Sequence, residues 1–228
     1  MPTRLLRLTC FAGVSTALLT GCISYTVGLG AETTPVGERT VTNSVNLVPG
    51  TIRTTTGSTD GITPTRRPSV DTDIRFGIDN RTDIGFRVAT YSGFMMTWKR
   101  QLGPLDSSSV PENRRHTALM VGGGVINLGE HASFEATLIT SGKWTAAGQL
   151  YGAARVIQVL PLSPEAPHDD PVVGFSIGHL FGDRSSSIGP EIGVYYDRST
   201  LGLNTNRIIV VPAVVYRRGG LPGFGWRR

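Results

Sequence analysis

The chain has 228 residues, of which 39% are hydrophobic, 17% charged and 7% aromatic, with 29 glycines and 14 prolines. Charge stands below the roughly 25% of an average soluble domain, and glycine plus proline above the roughly 12% expected. Since each glycine or proline costs about 1 or about 3 kcal/mol in a helix interior, a helical bundle and a coiled coil are excluded, as is a charged disordered chain. The net charge of +5 is nearly all arginine, the lysines being Lys99 and Lys143. These charges are spread along the chain apart from pairs such as Arg66-Arg67 and Arg217-Arg218, whereas nucleic-acid recognition clusters them on one face.

Met1 to Arg7 is short and basic, and Leu8 to Thr20 is an uncharged run of 13 residues. That run is too short for a transmembrane helix of about 20 residues and has the shape of a secretory signal. It ends in Leu19-Thr20-Gly21-Cys22, which resembles the bacterial lipobox. The resemblance implies cleavage before Cys22 and acylation of its thiol and new amine. Two or more acyl chains, at about 0.8 kcal/mol per buried CH2, make a stable anchor. A disulfide between Cys10 and Cys22 is the competing reading, but Cys10 lies inside the targeting stretch. By the same resemblance, the absence of Asp after Cys22, where Ile23 stands, favours the outer membrane. No later run of 18 apolar residues exists, so no membrane-spanning helix is expected.

Residues 22–50 are polar and rich in Thr, Gly and Pro, with modest alternation at Ser44 to Val48, and read as a lipidated amino terminus and tether with room for one edge strand. From Thr51 the pattern has period two, the signature of strands whose side chains alternate between faces. Ile74, Phe76 and Ile78 alternate with Asp73, Arg75 and Gly77, and Ile84, Phe86 and Val88 with Gly85, Arg87 and Ala89. Phe134, Ala136 and Leu138 oppose Ser133, Glu135 and Thr137. Turn clusters separate such runs, predicting strands near 51–60, 70–79, 83–91, 93–102, 116–127, 131–142, 147–160, 171–181, 188–197 and 205–216. Several are long enough for the roughly 9–11 residues that a tilted transmembrane strand requires. Pro212 lies inside the last, where an edge or bulge is expected.

The polar face carries Arg75, Arg87, Lys99, Glu135, Arg155 and Glu191 in mid-strand. A soluble barrel would turn these to water, and a membrane barrel would turn them to its lumen and the apolar residues to lipid. Strand length and the lipobox favour the membrane form, with these six as lumen-facing residues. Phe76, Phe86 and Phe134 outward and the charges inward would distinguish it from a lipocalin-like barrel.

Val70 to Leu102 is similar to a motif of small bacterial outer-membrane β-barrel lipoproteins. Arg75, Gly77, the Asp79–Asp83 turn, Gly85, Gly93, Lys99 and Leu102 carry the likeness. Leu47-Val48-Pro49-Gly50 resembles the entry to their first strand, and Gly189-Pro190-Glu191-Ile192-Gly193 with Tyr195-Tyr196 a late one. The resemblance implies a fold and a location and no activity.

Other motifs have bland readings. Gly174-Phe175-Ser176-Ile177-Gly178, followed by His179, matches the hydrolase elbow pattern but sits in an alternating strand without the strand–turn–helix context. His131 and Ser133, with Glu135 or Asn127 as orienter, would put a base and nucleophile on one strand face, as in some outer-membrane acyl hydrolases. Polar residues are expected on that face anyway. His168-Asp169-Asp170 lacks a second histidine at ligand spacing, and Gly122-Gly123-Gly124 lacks the Lys-Ser/Thr of a phosphate loop. Trp98, Trp144, Tyr195, Tyr196 and Tyr216 fit interfacial aromatic belts or ordinary packing.

The expectation is therefore an all-β protein, an antiparallel up-and-down barrel of about ten strands (8–12). A signal peptide at 1–21 and a tether at 22–50 precede the barrel domain at 51–228. The expected role is structural or passive-transport in the bacterial outer membrane. The bilayer is its partner through acylated Cys22 and the barrel exterior, without cofactor, metal or nucleic acid. A periplasmic binder of an apolar ligand is the alternative, and an acyl hydrolase the remoter one.

Overall fold

In a computed structural model the described residues are 23–56, 59–89, 93–103, 115–126, 129, 131–145, 148–162, 170–196 and 208–223. The expected signal peptide and Cys22 lie outside them. Ten strands appear: β1 (Glu38–Thr56), β2 (Thr59–Asp79), β3 (Thr82–Ala89), β4 (Gly93–Leu102), β5 (Arg115–Ile126), β6 (His131–Thr145), β7 (Gly148–Pro161), β8 (Val172–Gly182), β9 (Ser186–Tyr196) and β10 (Ile208–Pro222). Each pairs antiparallel with its sequence neighbours, and β1 pairs with β10, so the sheet closes on itself. Closure leaves no sheet edge, the condition for a β structure to sit in lipid.

Alternation decides the two surfaces, and it is inverted relative to a soluble protein. Inward positions are small, polar or charged: Thr42, Ser44 and Asn46 on β1, Asp71, Asp73 and Arg75 on β2, and Ser133, Glu135 and Thr137 on β6 are all buried. Outward positions are apolar and exposed: Phe94, Met96 and Trp98 on β4, Phe134 and Leu138 on β6, and Val173, Phe175, Ile177 and Phe181 on β8. Phe76 and Phe86 share the outward parity and meet edge to face, with ring centroids 6.3 Å apart. Val173, Phe175, Ile177 and Phe181 take four of the five outward positions of a nine-residue stretch, and half-buried His179, edge to face with Phe181, takes the fifth; nine residues is the length a tilted spanning strand needs, roughly 9–11. Exposed Arg100 and Arg218 follow Trp98 and Tyr216 on the same outward faces and bound the band at one end. Phe76, Phe86 and Phe134 thus point away from the interior, the orientation expected of the membrane form and not of a lipocalin-like barrel.

The first strand starts earlier than its sequence suggested, at Glu38 rather than near Thr51. Its inward residues Thr42, Ser44 and Asn46 are polar without charge, so the alternation with Val45 and Leu47 gives a weak hydropathy signal. The last strand likewise continues past Tyr216 to Pro222. Pro212 sits opposite Ile192 of β9, while the β1 ladder on the other side of β10 ends at Ala213. The proline thus stands next to the point where one ladder stops, a position that tolerates its missing N–H.

The strand directions define two ends. The entry end holds the start of β1, paired with the finish of β10, and the connections 80–81, 103–114, 146–147 and 183–185. The far end holds the connections 57–58, 90–92, 127–130, 162–171 and 197–207.

Candidate functional site

The residues expected to be a tether occupy the barrel. Ile23 through Ala31, then Thr33 and Thr34, are buried, each at most 8% exposed where a value applies. They form no strand, so their backbone polar groups need partners other than a ladder, and inward side chains supply them. Arg155 donates to the carbonyls of Ser24 (2.6 Å) and Thr26 (3.2 Å), and the Tyr195 hydroxyl to that of Tyr25 (2.5 Å). Lys99 Nζ donates to the carbonyls of Gly30 (3.3 Å) and Glu32 (2.7 Å), and Arg184 to that of Thr33 (3.0 Å). In the other direction, Ala31 N–H donates to Ser141 Oγ (2.8 Å) and Thr34 N–H to Asp83 (2.9 Å).

Glu191 makes the densest of these contacts. Its two oxygens accept from the N–H groups of Val27 (2.8 Å) and Gly28 (2.7 Å), and from the Tyr151 hydroxyl (2.5 Å). Gly28 has φ of +63°, the left-handed conformation in which successive N–H groups converge on one anion. A residue with a Cβ would be strained there.

The segment runs from end to end. Ile23 and Tyr25 pack with Val48 and Ile157 and with Ile126, Val172, Tyr195 and Ile209, the last four at or next to the far-end limits of their strands. Val27, Leu29 and Ala31 pack with Ala118, Met120, Ile139 and Ala153 in the middle. Thr33 and Thr34 meet Asn80, Asp83 and Arg184 at the entry end. Beside Leu29 to Thr34 a cavity of about 20 Å³ remains, lined among others by Arg75, Lys99 and Arg217. That is room for about one water.

Around this plug the charged side chains form an alternating chain. Lys99 reaches Asp83 (3.3 Å), Asp83 binds Arg75 (2.6 Å), and Arg75 reaches Asp73 (3.4 Å). Asp73 accepts from Arg87 (3.2 Å), Arg87 lies 3.5 Å from Glu135, and Glu135 pairs with Arg155. The run crosses β4, β3, β2, β3 again, β6 and β7. Asp71 stands outside it and accepts from the hydroxyls of Ser24 (2.9 Å) and Thr26 (2.7 Å) and from Asn46 (3.2 Å).

All six charged residues singled out from sequence, Arg75, Arg87, Lys99, Glu135, Arg155 and Glu191, are buried in this interior. The first five lie in one network, and Glu191 binds the plug. Sequence reasoning passed over Asp71 and Asp83. Asp71 shares the parity of Asp73 and Arg75, a usable signal, whereas Asp83 was absorbed into the Asp79–Asp83 turn. It also passed over the plug, although Ile23, Tyr25, Val27, Leu29 and Ala31 alternate with Ser24, Thr26, Gly28 and Gly30, a usable period-two signal.

The weaker motifs do not assemble into sites. His131, Ser133 and Glu135 share the inward parity of β6, but Glu135 is engaged by Arg155 and Arg87, and His131 Nδ1 has no hydrogen-bond partner. Asn127 lies outside the described residues. Ser176 points inward within uninterrupted β8, its hydroxyl without a partner and no helix following. Gly122 to Gly124 lie within β5 against β4. His168 and Asp169 are outside the described residues, and among those described no group of three or more metal-ligating side chains occurs. Trp98 and Tyr216 face outward near the entry end, Tyr195 is an interior residue, and the Trp144 side chain is outside the description.

No family model matches the chain, and no curated protein does. Solved structures do. The COG4313 outer membrane channel from Pseudomonas putida F1 aligns over 83% of this chain and 97% of its own, at 6% identity and a TM-score of 0.51. The chain has an outer-membrane β-barrel fold. Ail, the attachment invasion locus protein of Yersinia pestis, solved with a heparin analogue, aligns over 81% of this chain and 98% of its own, at 9% identity and a TM-score of 0.34. OprG from Pseudomonas aeruginosa aligns over 82% and 95%, at 10% identity and a TM-score of 0.30.

Proposed function

We propose that this protein is an outer-membrane β-barrel lipoprotein, acylated at Cys22, with a non-catalytic structural role and a lumen closed by its own amino-terminal segment. The inverted surface carries the reading: Phe76, Phe86 and Phe134 outward, with Arg75, Arg87 and Glu135 inward. Water would solvate that exterior poorly, and lipid solvates it well. The lipobox supplies the anchor, and the buried, hydrogen-bonded course of Ile23 to Thr34 through the interior supports a closed resting state. Passive transport, in the manner of the Pseudomonas putida channel, would require Ile23 to Thr34 to leave the lumen.

Three measurements test this. The detergent-extracted protein should migrate faster unheated than boiled on a gel, and a Cys22→Ala variant should stay in the membrane fraction after alkaline carbonate extraction. In planar bilayers the intact protein should give no steady conductance. Carbonate-soluble protein without a heat shift would remove the inserted barrel, and a steady open conductance would remove the closed lumen.

A further inference from the structure

The plug has a direction. Thr34 and Thr33 are held at the entry end, next to the start of β1, and Ile23 lies with Ile126, Val172, Tyr195 and Ile209, at or next to the far-rim ends of their strands. The chain therefore crosses the barrel's full height before β1 begins. Twelve extended residues reach at most about 40 Å, enough for a hydrocarbon core of about 30 Å. Cys22 is one peptide unit beyond Ile23, about 3.8 Å between Cα atoms. An acyl group there has no room in the lumen, whose middle is filled by the ion network and the plug. The far rim is instead lined by Val48, Ile126, Val172 and Ile209, an apolar sill.

The connections say which side of the membrane that rim faces. Entry-end turns are short at 80–81, 146–147 and 183–185, with 103–114 the exception. Far-end connections are short at 57–58, 90–92 and 127–130, but this end holds two of the three long ones, 162–171 and 197–207. There the β1–β2 arm also runs on from Leu47↔Pro68 to Thr56↔Thr59, past the last pairs with β10 and β3. Outer-membrane barrels keep short turns in the periplasm and long loops outside, which makes the far end the cell-surface end.

We propose that the chain threads its own barrel and presents Cys22 at the cell-surface rim, so that its acyl chains enter the outer leaflet. This rests on the reading of an acylated, outer-membrane barrel, and the test separates the two. An epitope is inserted between Cys22 and Ile23 of the full-length protein in a Gram-negative host, with reference epitopes placed singly in the 197–207 and 104–114 connections. Antibody on intact cells should mark the amino-terminal and 197–207 epitopes, and reach 104–114 only after permeabilisation. Protection of the amino-terminal epitope while 197–207 is marked overturns the threading. Marking of 104–114 with protection of 197–207 overturns the orientation. Alkyne-palmitate should label the wild type and not Cys22→Ala; absent labelling removes the lipid and leaves the epitope result standing. An Ala31→Cys variant, whose side chain is buried among Ala118, Met120 and Ile139 in the middle of the lumen, should resist a thiol-reactive maleimide in unheated, heat-modifiable protein and react once the barrel is boiled open. Full labelling before heating places the plug outside the lumen and overturns the proposal.

Discussion

Glu191→Gln isolates the attachment of the plug. The side chain keeps its shape, but one of two accepting oxygens becomes an NH2 donor. The Tyr151 hydroxyl can turn and accept from it. The backbone N–H groups of Val27 and Gly28, each on its own oxygen at 2.8 and 2.7 Å, cannot. Whichever way the amide sits, one buried N–H loses its acceptor, at about 1–3 kcal/mol. If these amides exchange by local release of the plug, the same energy speeds exchange by about 5- to 150-fold. Hydrogen exchange of the refolded protein in detergent micelles, followed at Val27 and Gly28, reads this directly. The amide of Leu138, in the β6 ladder, should not change. Exchange altered less than twofold, or wild-type amides exchanging at free-peptide rates, would refute the seating of the plug on Glu191.

Leu138→Arg, outward at mid-height of β6, should destabilise the refolded barrel in lipid vesicles by about 2–4 kcal/mol in urea titration, against about 0.5 kcal/mol or less at an exposed site in water. Gly77→Ala should loosen the plug exit, because a Cβ there would lie 2.1 Å from the Pro35 carbonyl oxygen and 2.3 Å from that of Thr34; protease cleavage after the 23–37 segment should accelerate while heat modifiability persists. In the 183–185 turn, the Asp183 carboxyl is held below its ordinary pKa by hydrogen bonds from the Ser185 hydroxyl and the Ser186 and Ser185 N–H groups. A lowered pKa contributes stability above the unfolded value near 4 and loses it as pH falls through the folded value, so exchange at Ser185 and Ser186 should be flat from pH 5 upward, after correction for intrinsic rates. It should rise below pH 4 in the wild type, and show no such added rise in Asp183→Asn.

Much of the barrel was legible because a membrane barrel writes the same period twice, apolar on one parity and polar on the other. Phe94-Met96-Trp98 and Met95-Thr97-Lys99 show both sequences of β4 plainly. The lumen charges were legible in their parity: Arg75, Arg87 and Glu135 each stand between apolar neighbours, and strand length with the lipobox chose lumen over water for that face. Thr42, Ser44 and Asn46 hid the start of β1, since small polar residues suit a tether and a crowded lumen alike. The plug left half a signal: Ile23, Tyr25, Val27, Leu29 and Ala31 alternate with small or polar residues. Its hydrogen bonds come from Arg155, Lys99, Tyr195 and Glu191, far along the chain, so the period alone did not say that this stretch would run through the lumen instead of joining the wall.

Plug and ion network are one device. The alternating run from Lys99 to Arg155 ends in a cation at each end, and each terminal cation donates to plug carbonyls, Lys99 to Gly30 and Glu32, Arg155 to Ser24 and Thr26. The two acids outside the run, Asp71 and Glu191, take their donors from the plug as well. Buried ions are costly without partners, and breaking one such pair costs about 3–5 kcal/mol, so withdrawing the segment would oblige water to enter in its place. An apolar interior would avoid that cost but would make both barrel faces alike. With charge inside, slipping one strand by a residue sends its whole inward set to lipid. For β3 that exposes Arg87, for β7 Arg155, at about 2–4 kcal/mol per Arg near the midplane. The ions that make the lumen expensive also fix the register in which the barrel closes around its amino terminus.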